Sequence, residues 1–329
     1  MENSISESKV KNPKKEIDIN KPKFTVKEFK RQWVLVVIGA VYVVYGIIFY
    51  YLPLVGWIMA FQKFVYRDNI IQAITGSKWV GLDKFKFLFS NNKFPIVIRN
   101  TFAMGTLNLI FSTIAAIAFA ILLNEVRNKY FKKSIQTISY MPHFLSWIIV
   151  VAIVHDALTS TGIVNDLLMR VGILKQPYAF LGDPKLFWGI VTFSNLWKET
   201  GWNAIIYLAA ITSIDPCLYE SASIDGAGRF QKMRYVTLPG LRPTIMILLL
   251  MNVGNVLNAG FELQYLLGNG LVQNVSRTID IYVLDWALDA KNMDYSLGTA
   301  AGIFKTVVSM TFIVGANYIA KRKGDDRLF

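Results

Sequence analysis

The sequence is poor in charge, cysteine and histidine. Asp, Glu, Lys and Arg make up 17% of the 329 residues, below the quarter that is typical of soluble domains. The single cysteine, Cys217, has no partner for a disulfide within the chain. One Cys and two His also argue against a dedicated zinc site, which takes three or four ligands largely of these types. The composition therefore argues against an ordinary soluble enzyme and a zinc protein.

Catalytic signatures are missing as well. The chain contains no G-x-x-x-x-G-K-[ST] phosphate loop, so we do not expect it to bind ATP or another cofactor itself. No nucleophile with an accompanying base stands out, which weakens the case for a membrane enzyme.

Long apolar segments are what the sequence has in quantity. Hydrophobic residues make up 53% of the chain. A bilayer core about 30 Å thick needs roughly 20 apolar residues in a helix. A soluble helical bundle is the alternative, but residues 110–123 lack the polar face of a soluble helix. The predicted transmembrane helices are 33–61, 96–123, 135–157, 186–214, 243–267 and 297–320.

The distribution of positive charge predicts an orientation. If the segments between spans alternate between the two sides, the side with both termini holds 21 Lys and Arg and the other side 12. Lys and Arg are enriched in cytoplasmic loops, so both termini are predicted to be cytoplasmic. The net charge of +13 then lies beside the membrane, and nucleic-acid binding loses its support. The predicted organisation is a basic tail 1–32, a transmembrane domain 33–323 and a cytoplasmic tail 324–329.

The loop 215–242, between the fourth and fifth predicted spans, has the most specific pattern. Residues 220–227 are predicted to form a short helix with small residues on one face, with a turn at Gly226 and Gly228. A second short helix is predicted to follow until Pro239 and Pro243 interrupt it. Such helices at the inner surface suit docking onto a soluble partner, and an ordinary basic loop is the alternative.

This loop resembles the EAA loop of permease subunits of ABC importers. The family pattern is Glu-Ala-Ala, three residues, Gly, nine residues, Ile, one residue and Leu-Pro. Here Ser221 stands in place of the first Ala, and Val236 stands in place of the Ile. The other positions match at the family's spacing. The resemblance implies that the ATPase-coupling residues are Glu220, Ser221, Ala222, Asp225, Gly226, Ala227, Leu238 and Pro239. It further implies that Gly226 lets the chain turn where a side chain would collide.

Softer motifs extend the resemblance over about residues 30–323. Residues 197–203 resemble the approach to this loop in carbohydrate permeases, and residues 141–144 resemble the branch for oligosaccharides and polysaccharide fragments. The implied fold is an all-α type I ABC importer permease with six transmembrane helices in the bacterial cell membrane. The implied partners are a second permease subunit, two cytoplasmic ATPase subunits that bind ATP and Mg, an extracellular solute-binding protein and the oligosaccharide cargo.

Polar residues in the fifth predicted span indicate a path for cargo. On one continuous helix they fall within an arc of roughly 120° and form a single polar stripe. Such a stripe facing lipid would leave amides unsatisfied, so it should face protein or a watery cavity. Hydrogen bonding between helices explains such a stripe equally well, as an alternative to cargo contact. The stripe consists of Asn252, Asn255, Asn258 and Glu262.

Two charges lie in the fourth predicted span. Lys198 and Glu199 each cost about 2.5 to 3.5 kcal/mol at a helix centre, and as neighbours they point about 100° apart, which argues against a simple pair. These charges either contact cargo, or one of them fixes a helix break or pairs with a charge on another helix. Lys305 with Glu262 is the predicted example of such a pair between helices. His143, which follows a proline, is predicted to mark a kink. The other candidates for carbohydrate contact are Trp197, Trp202 and Asn203.

The predicted function is that of a permease subunit that moves oligosaccharides by alternating access. The same importer with amino acids, polyamines or an anion as cargo is one alternative. An ion-coupled secondary transporter or channel is another, with Lys198, Glu199 and Glu262 as the coupling charges.

Overall fold

The computed structural model describes residues 30–66, 69–288 and 293–323. These residues are mostly helical and belong to two compact units, which divide between Gly56 and Trp57. The predicted tail 324–329 and most of the tail 1–32 lie outside the described residues.

The α-helices alternate with short connections along the whole described chain. They are α1 (Trp33–Gly46), α2 (Ile70–Gly76), α3 (Asp83–Ser90), α4 (Lys93–Glu125), α5 (Lys129–Tyr140), α6 (Trp147–Leu158), α7 (Ile163–Arg170), α8 (Pro184–Thr212), α9 (Pro216–Ile224), α10 (Arg229–Lys232), α11 (Leu238–Val253), α12 (Glu262–Leu267), α13 (Gln273–Ser276), α14 (Ile279–Leu288) and α15 (Tyr295–Lys323).

Other helical geometries join some of these elements. A π-helical turn follows α1 and a 3₁₀ segment follows that turn, while further short segments interrupt the chain at three later points. They are Ile47–Tyr51 (π), Leu52–Phe61 (3₁₀), Met141–Phe144 (3₁₀), Phe180–Gly182 (3₁₀) and Met233–Thr237 (π). The strands β1 (Gln62–Lys63) and β2 (Lys78–Trp79) form a small antiparallel ladder in which Gln62 pairs with Trp79.

Five helical stretches are long and apolar enough to cross a membrane. They are Trp33–Phe61, Lys93–Glu125, Trp147–Arg170, Arg229–Val253 and Tyr295–Arg322. The fourth predicted span corresponds to α8, which has 29 residues but is not among the five. Its length suffices for a bilayer, and its lower hydropathy comes from polar residues such as Lys198, Glu199 and Asn203.

Two predicted spans are not continuous helices. In the third, the 3₁₀ segment Met141–Phe144 separates α5 from α6, because a proline at its start cannot donate to an α-helical ladder. The predicted kink at His143 is confirmed. The fifth, 243–267, breaks after α11, and residues 254–261 form turns before α12 begins. Gly260 in this segment has φ +92°, a conformation that favours glycine.

The core of the second unit lies along α4. Near its start, Phe94 and Val97 pack with residues of α3, α14 and α15. Farther along, Met104 packs with residues of α8 and α12. Towards its end, Ala116 and Ala120 pack with residues of α8 and α11. α4 is therefore a central helix against which three other parts of the chain are held at successive levels.

A hydrogen-bonded loop fixes the start of α8. The carboxylate of Asp183 caps the helix by accepting from the Lys185 backbone N–H at 2.8 Å, and the Tyr178 hydroxyl also donates to it. The Tyr178 bond, followed by the backbone bond, lowers the pKa of Asp183, while the same side-chain bond raises the pKa of Tyr178. The buried amide of Asn165 holds this loop by donating to the Thr159 and Tyr178 carbonyls at 2.8 and 2.9 Å.

Candidate functional site

An uncharged polar cavity lies between α4, α8, α11 and the turns that follow α11. Its volume is about 330 Å³, within the range of small-ligand pockets. Four residues predicted for the cargo path line it together, and none of the described residues that line it is charged. The polar side chains around it are Asn108, Ser112, Thr113, Asn203, Tyr207, Asn252, Asn255 and Asn258. We call this the amide cavity.

Turns, rather than a helical stripe, bring the predicted asparagines together. The prediction of one continuous helix is wrong here, because α11 ends at Val253 and the weak helix formers Gly254 and Asn255 follow. The Asn255 N–H donates to the Asn252 carbonyl at 2.9 Å, and the Asn258 N–H donates to the Asn255 carbonyl at 2.8 Å. Glu262, the fourth member of the predicted stripe, begins α12 and does not line the amide cavity.

A glycine lets α4 pass close to these turns. A Cβ atom on Gly105 would lie 1.7 Å from the Val256 carbonyl oxygen, a distance that no side chain tolerates. The absence of a side chain at this position brings the α4 backbone against the turn and closes one wall of the cavity.

Sequence reasoning missed the contribution of α4 to the amide cavity. Asn108 and Ser112 are four residues apart and so share a helix face, but the length of the surrounding apolar run hid this signal. The Asn108 Oδ1 atom is buried and accepts no hydrogen bond within the described parts of the chain. A buried acceptor without a donor is costly, so a side chain that lines the cavity carries an unmet need for a hydrogen-bond donor.

The amide cavity offers hydrogen bonds without charge. Side-chain amides both donate and accept, and hydroxyl groups do the same. This set of groups matches a solute that carries many hydroxyl groups, and it would leave a bare ion without a counter-charge.

The charges of α8 form a network beside the amide cavity instead of lining it. Lys198 and Glu199 lie 3.2 Å apart, Nζ to Oε1, so the prediction that they do not pair is wrong. Their long side chains bend from neighbouring positions towards the same point. The side chain of Lys198 is only 5% exposed, which makes a counter-charge necessary.

The network reaches the break between α5 and α6. Lys198 Nζ donates to the His143 carbonyl at 2.6 Å and lies 5.1 Å from the centre of the Trp147 ring. Glu199 Oε2 lies 2.7 Å from His143 Nδ1. The two charges thus join α8 to the kinked segment, in accord with the alternative that they fix a helix break.

The tryptophans predicted to contact carbohydrate and the predicted Lys305–Glu262 pair do not lie where the sequence predicted them. The Trp202 ring stacks on His143 with centroids 4.3 Å apart, and neither Trp202 nor Trp197 lines the amide cavity. Lys305 bonds to Asp280 at 2.6 Å, so the predicted pairing with Glu262 is wrong. Asp280 lies on α14, the helix that directly precedes α15 in the chain.

The coupling loop 215–242 forms two helical pieces joined by a tight turn. Helix α9 begins after Asp215, whose carboxylate accepts from the Cys217 backbone N–H at 2.9 Å. Gly226 then turns the chain with φ +75°. A Cβ atom at Gly226 would meet nothing within 4 Å among the described residues, so the implied collision is wrong for this chain alone. The glycine is required by the backbone conformation.

The second piece runs without interruption into the membrane helix. Residues Arg229–Val253 form one continuous helical stretch, so the predicted interruption at Pro239 and Pro243 is wrong. The π-helical turn Met233–Thr237 directly precedes this region. The wider π-helical turns accommodate the missing backbone hydrogen bond at Pro239, which has no N–H to donate.

Most of the residues predicted to couple to an ATPase are accessible. Glu220, Ser221, Asp225 and Gly226 are exposed, whereas the two alanines of the motif are half-buried. Sequence reasoning did not single out the apolar side chains around them. Those most exposed are Leu218, Ile224, Phe230 and Tyr235. The Tyr219 hydroxyl and Thr237 Oγ1 lie 3.0 Å apart and tie α9 to the π-helical turn.

Residues 108–324 match the family of binding-protein-dependent transport system inner membrane components. The chain belongs to this family. It is a membrane-embedded component of an ABC transporter of the kind that carries sugars. The matched region includes the charge network, the coupling loop and every described wall residue of the amide cavity except Gly105.

Curated relatives extend the similarity beyond the family region. The chain is 42% identical to Protein LplB of Bacillus subtilis (strain 168) over 286 residues, which cover 87% of both chains. It is 39% identical to the polygalacturonan/rhamnogalacturonan transport system permease protein YteP of the same organism over 287 residues, again 87% of both.

The fold is that of a solved ABC permease. One chain of a bacterial ABC transporter involved in the import of the acidic polysaccharide alginate superposes with a TM-score of 0.81 and 38% identity, covering 90% of this chain and 98% of that one. A second structure of the alginate transporter, in complex with alginate pentasaccharide-bound periplasmic protein, gives a TM-score of 0.80 at 38% identity over 90% and 96% of the two chains.

Proposed function

We propose that this chain is a permease subunit of an ATP-driven importer for oligosaccharides derived from polysaccharides. It works in the bacterial cell membrane with a second permease, two cytoplasmic ATPase subunits and an extracellular solute-binding protein. The ATPase subunits bind ATP and Mg, and their closure drives alternating access of the transmembrane helices.

The amide cavity is the observation that carries the proposal. It is lined by five asparagine side chains, among them Asn108, whose Oδ1 atom accepts no hydrogen bond from the residues that the structure describes. Hydroxyl-rich solutes need such partners when they leave water. The named cargoes of YteP and of the alginate transporter are polysaccharides, which supports carbohydrate over amino acids, polyamines or a small anion.

The topology that we propose has six spans with both termini in the cytoplasm. Helix α8 is the sixth span in addition to the five apolar stretches. Its two charges are paired and hydrogen-bonded within the protein, which offsets much of the cost of placing them in the bilayer. With six spans, the coupling loop faces the cytoplasm.

We propose that the coupling loop receives an ATPase subunit. Exposed Glu220, Ser221 and Gly226 lie beside the exposed apolar side chains of Ile224 and Phe230. A motif of small side chains next to uncovered apolar groups is typical of a surface that another protein covers. Movement of this surface is passed on to α11, because the second helical piece is continuous with that helix.

Co-purification from native membranes tests the proposal. Tagged protein is extracted in a mild detergent, and its partners are identified by mass spectrometry. We expect a second permease, an ATPase and a solute-binding protein. Reproducible recovery of this chain alone would contradict the proposal and would favour a secondary transporter.

A further inference from the structure

A second cavity lies at the start of α4 and has a different chemistry. Its volume is about 780 Å³, and its walls come from α4, α14 and the segment between α12 and α14. In contrast to the amide cavity it includes charged side chains, namely Lys93, Arg277 and Asp285. Under the proposed topology this end of α4 faces the outside. We call it the outer cavity.

Among the described residues, one cation of the outer cavity has no counter-charge. Arg277 forms an ion pair with Asp285, so these two charges offset each other. Lys93 is exposed, and its ammonium group makes no ion pair or hydrogen bond within the part of the chain that the structure describes. The outer cavity therefore carries an excess positive charge at Lys93, which suits an anionic ligand.

Aromatic rings and amides complete the lining. Trp286 and Tyr265 contribute rings, and Tyr265 is half exposed. Asn91 and Asn274 contribute amides. Rings stack on the apolar faces of sugars and amides bond to hydroxyls, as in many pockets that combine apolar walls with a few polar groups. A cation among such groups adds recognition of a carboxylate.

The wall of the outer cavity is held rigidly. The Asn100 amide donates to the carbonyls of Asn274 and Arg277 at 3.0 and 3.1 Å, and Arg99 Nη2 donates to the Asn274 carbonyl at 2.9 Å. These bonds anchor the backbone of the segment to α4 while its side chains line the cavity. A wall that is ordered before binding lowers the entropic cost of capturing a ligand.

The two cavities follow each other along one helix. Residues 91–97 border the outer cavity, and residues 105–116 border the amide cavity. Val97 and Gly105 are eight positions apart, which corresponds to about 12 Å along the helix axis. Under the proposed topology the outer cavity therefore lies on the outward side of the amide cavity.

We propose that the outer cavity binds a carboxylate-bearing sugar unit of an incoming acidic oligosaccharide, with Lys93 as the residue that recognises the carboxylate. The inference rests on the proposed function, because it assumes that oligosaccharides approach from this end. It adds a charge preference that the amide cavity does not provide.

Direct binding tests the charge preference. The complete permease complex is placed in nanodiscs of phosphatidylcholine, so that no anionic lipid competes for the site, and the binding protein is left out. A fluorescent tetragalacturonate is then titrated and is displaced either by unlabelled tetragalacturonate or by the same tetrasaccharide after reduction of its carboxyl groups to alcohols.

We expect the acidic tetrasaccharide to bind about tenfold more tightly than the reduced one, as is typical of one charge-assisted bond. Lys93→Gln should abolish this ratio, while Lys175→Gln, at an exposed lysine outside the outer cavity, should preserve it. Equal binding of the two sugars, or the same ratio in both variants, overturns the proposal.

Uptake by the same complex separates this proposal from the proposed function. With ATP and the binding protein present, uptake of both tetrasaccharides without any effect of Lys93→Gln would retain the importer and overturn the acidic subsite. Absence of ATP-dependent uptake of either sugar would overturn the proposed function and the subsite with it.

Discussion

His143 Nδ1 lies 2.7 Å from Glu199 Oε2, and this contact joins the kink between α5 and α6 to the middle of α8. Lys198 strengthens the connection through the His143 carbonyl. Three polar groups that would each be costly in a bilayer therefore satisfy one another. The kink is held in place by the same interactions that make the charges of α8 tolerable.

Removal of one charge from this network should destabilise the protein. Glu199→Gln leaves the buried ammonium of Lys198 without its counter-charge, and breaking a buried pair in this way costs about 3 to 5 kcal/mol. We expect a lower thermal unfolding midpoint in detergent, measured by intrinsic fluorescence. The double variant Lys198→Met, Glu199→Gln should recover part of the loss. Losses that simply add in the double variant would contradict the pairing.

Substitutions in the amide cavity should weaken transport without affecting the amount of protein. Asn255→Leu and Asn108→Leu each remove hydrogen bonds to cargo, worth about 1 kcal/mol apiece. We expect a several-fold higher half-saturation for uptake at an unchanged protein level. Gln176→Leu, at an exposed position outside both cavities, is the control. A change in protein level alone would support a purely structural role for these asparagines.

Gly105→Ala should damage the wall of the amide cavity. The added Cβ atom would meet the Val256 carbonyl at 1.7 Å, so α4 and the turn must separate. We expect lower thermal stability and loss of uptake. Gly302→Ala on α15 is the matched control, because its Cβ atom meets nothing within 4 Å in the described residues. Equal stability of the two variants would rule out the close approach.

The coupling loop gives a prediction about one glycine. Gly226→Trp should abolish uptake and recovery of the ATPase in pull-downs, while the protein still inserts into the membrane. Because Gly226 has φ +75°, Gly226→Asn should retain more activity than Gly226→Val, since asparagine adopts this conformation more readily. Gly228→Ala, whose nearest contact would be 3.7 Å away, serves as the control. Unchanged uptake in Gly226→Trp would remove the docking role.

The native cysteine reports the topology. Cys217 is exposed at the start of α9, so a membrane-impermeant maleimide should label it in inverted vesicles and leave it unlabelled in intact cells. In a Cys217→Ser background, Lys175→Cys should show the opposite pattern. Labelling of Cys217 in intact cells, or of a tag at residue 329 from outside, would contradict the proposed orientation.

The sequence predicted the membrane helices better than their interruptions. Long apolar runs revealed α4 and α15, because length and hydropathy are local properties. The turns after Val253 pack Val256 against Gly105, a contact between residues far apart in the chain. No periodicity within the predicted fifth span could reveal it.

In the candidate site as well, features that depend on local sequence were predicted, and contacts between residues far apart in the chain were not. Asn252, Asn255 and Asn258 were predicted from the cost of unsatisfied amides in a bilayer and Asn203 from its place beside Trp202, and the four asparagines line one cavity. The partner of Lys305 was wrong because side chains on several helices compete for one ammonium group, and only the packing decides among them. The outer cavity escaped prediction since its residues are spread over positions 91–288 and form no motif.

ATP-dependent uptake tests the central claim most directly. The purified complex is reconstituted in vesicles with its binding protein, and accumulation of a labelled oligosaccharide is followed with ATP and with a non-hydrolysable analogue. The account predicts accumulation that requires ATP hydrolysis and is lost in Gly226→Trp. Accumulation that follows an ion gradient and proceeds without ATP would contradict it.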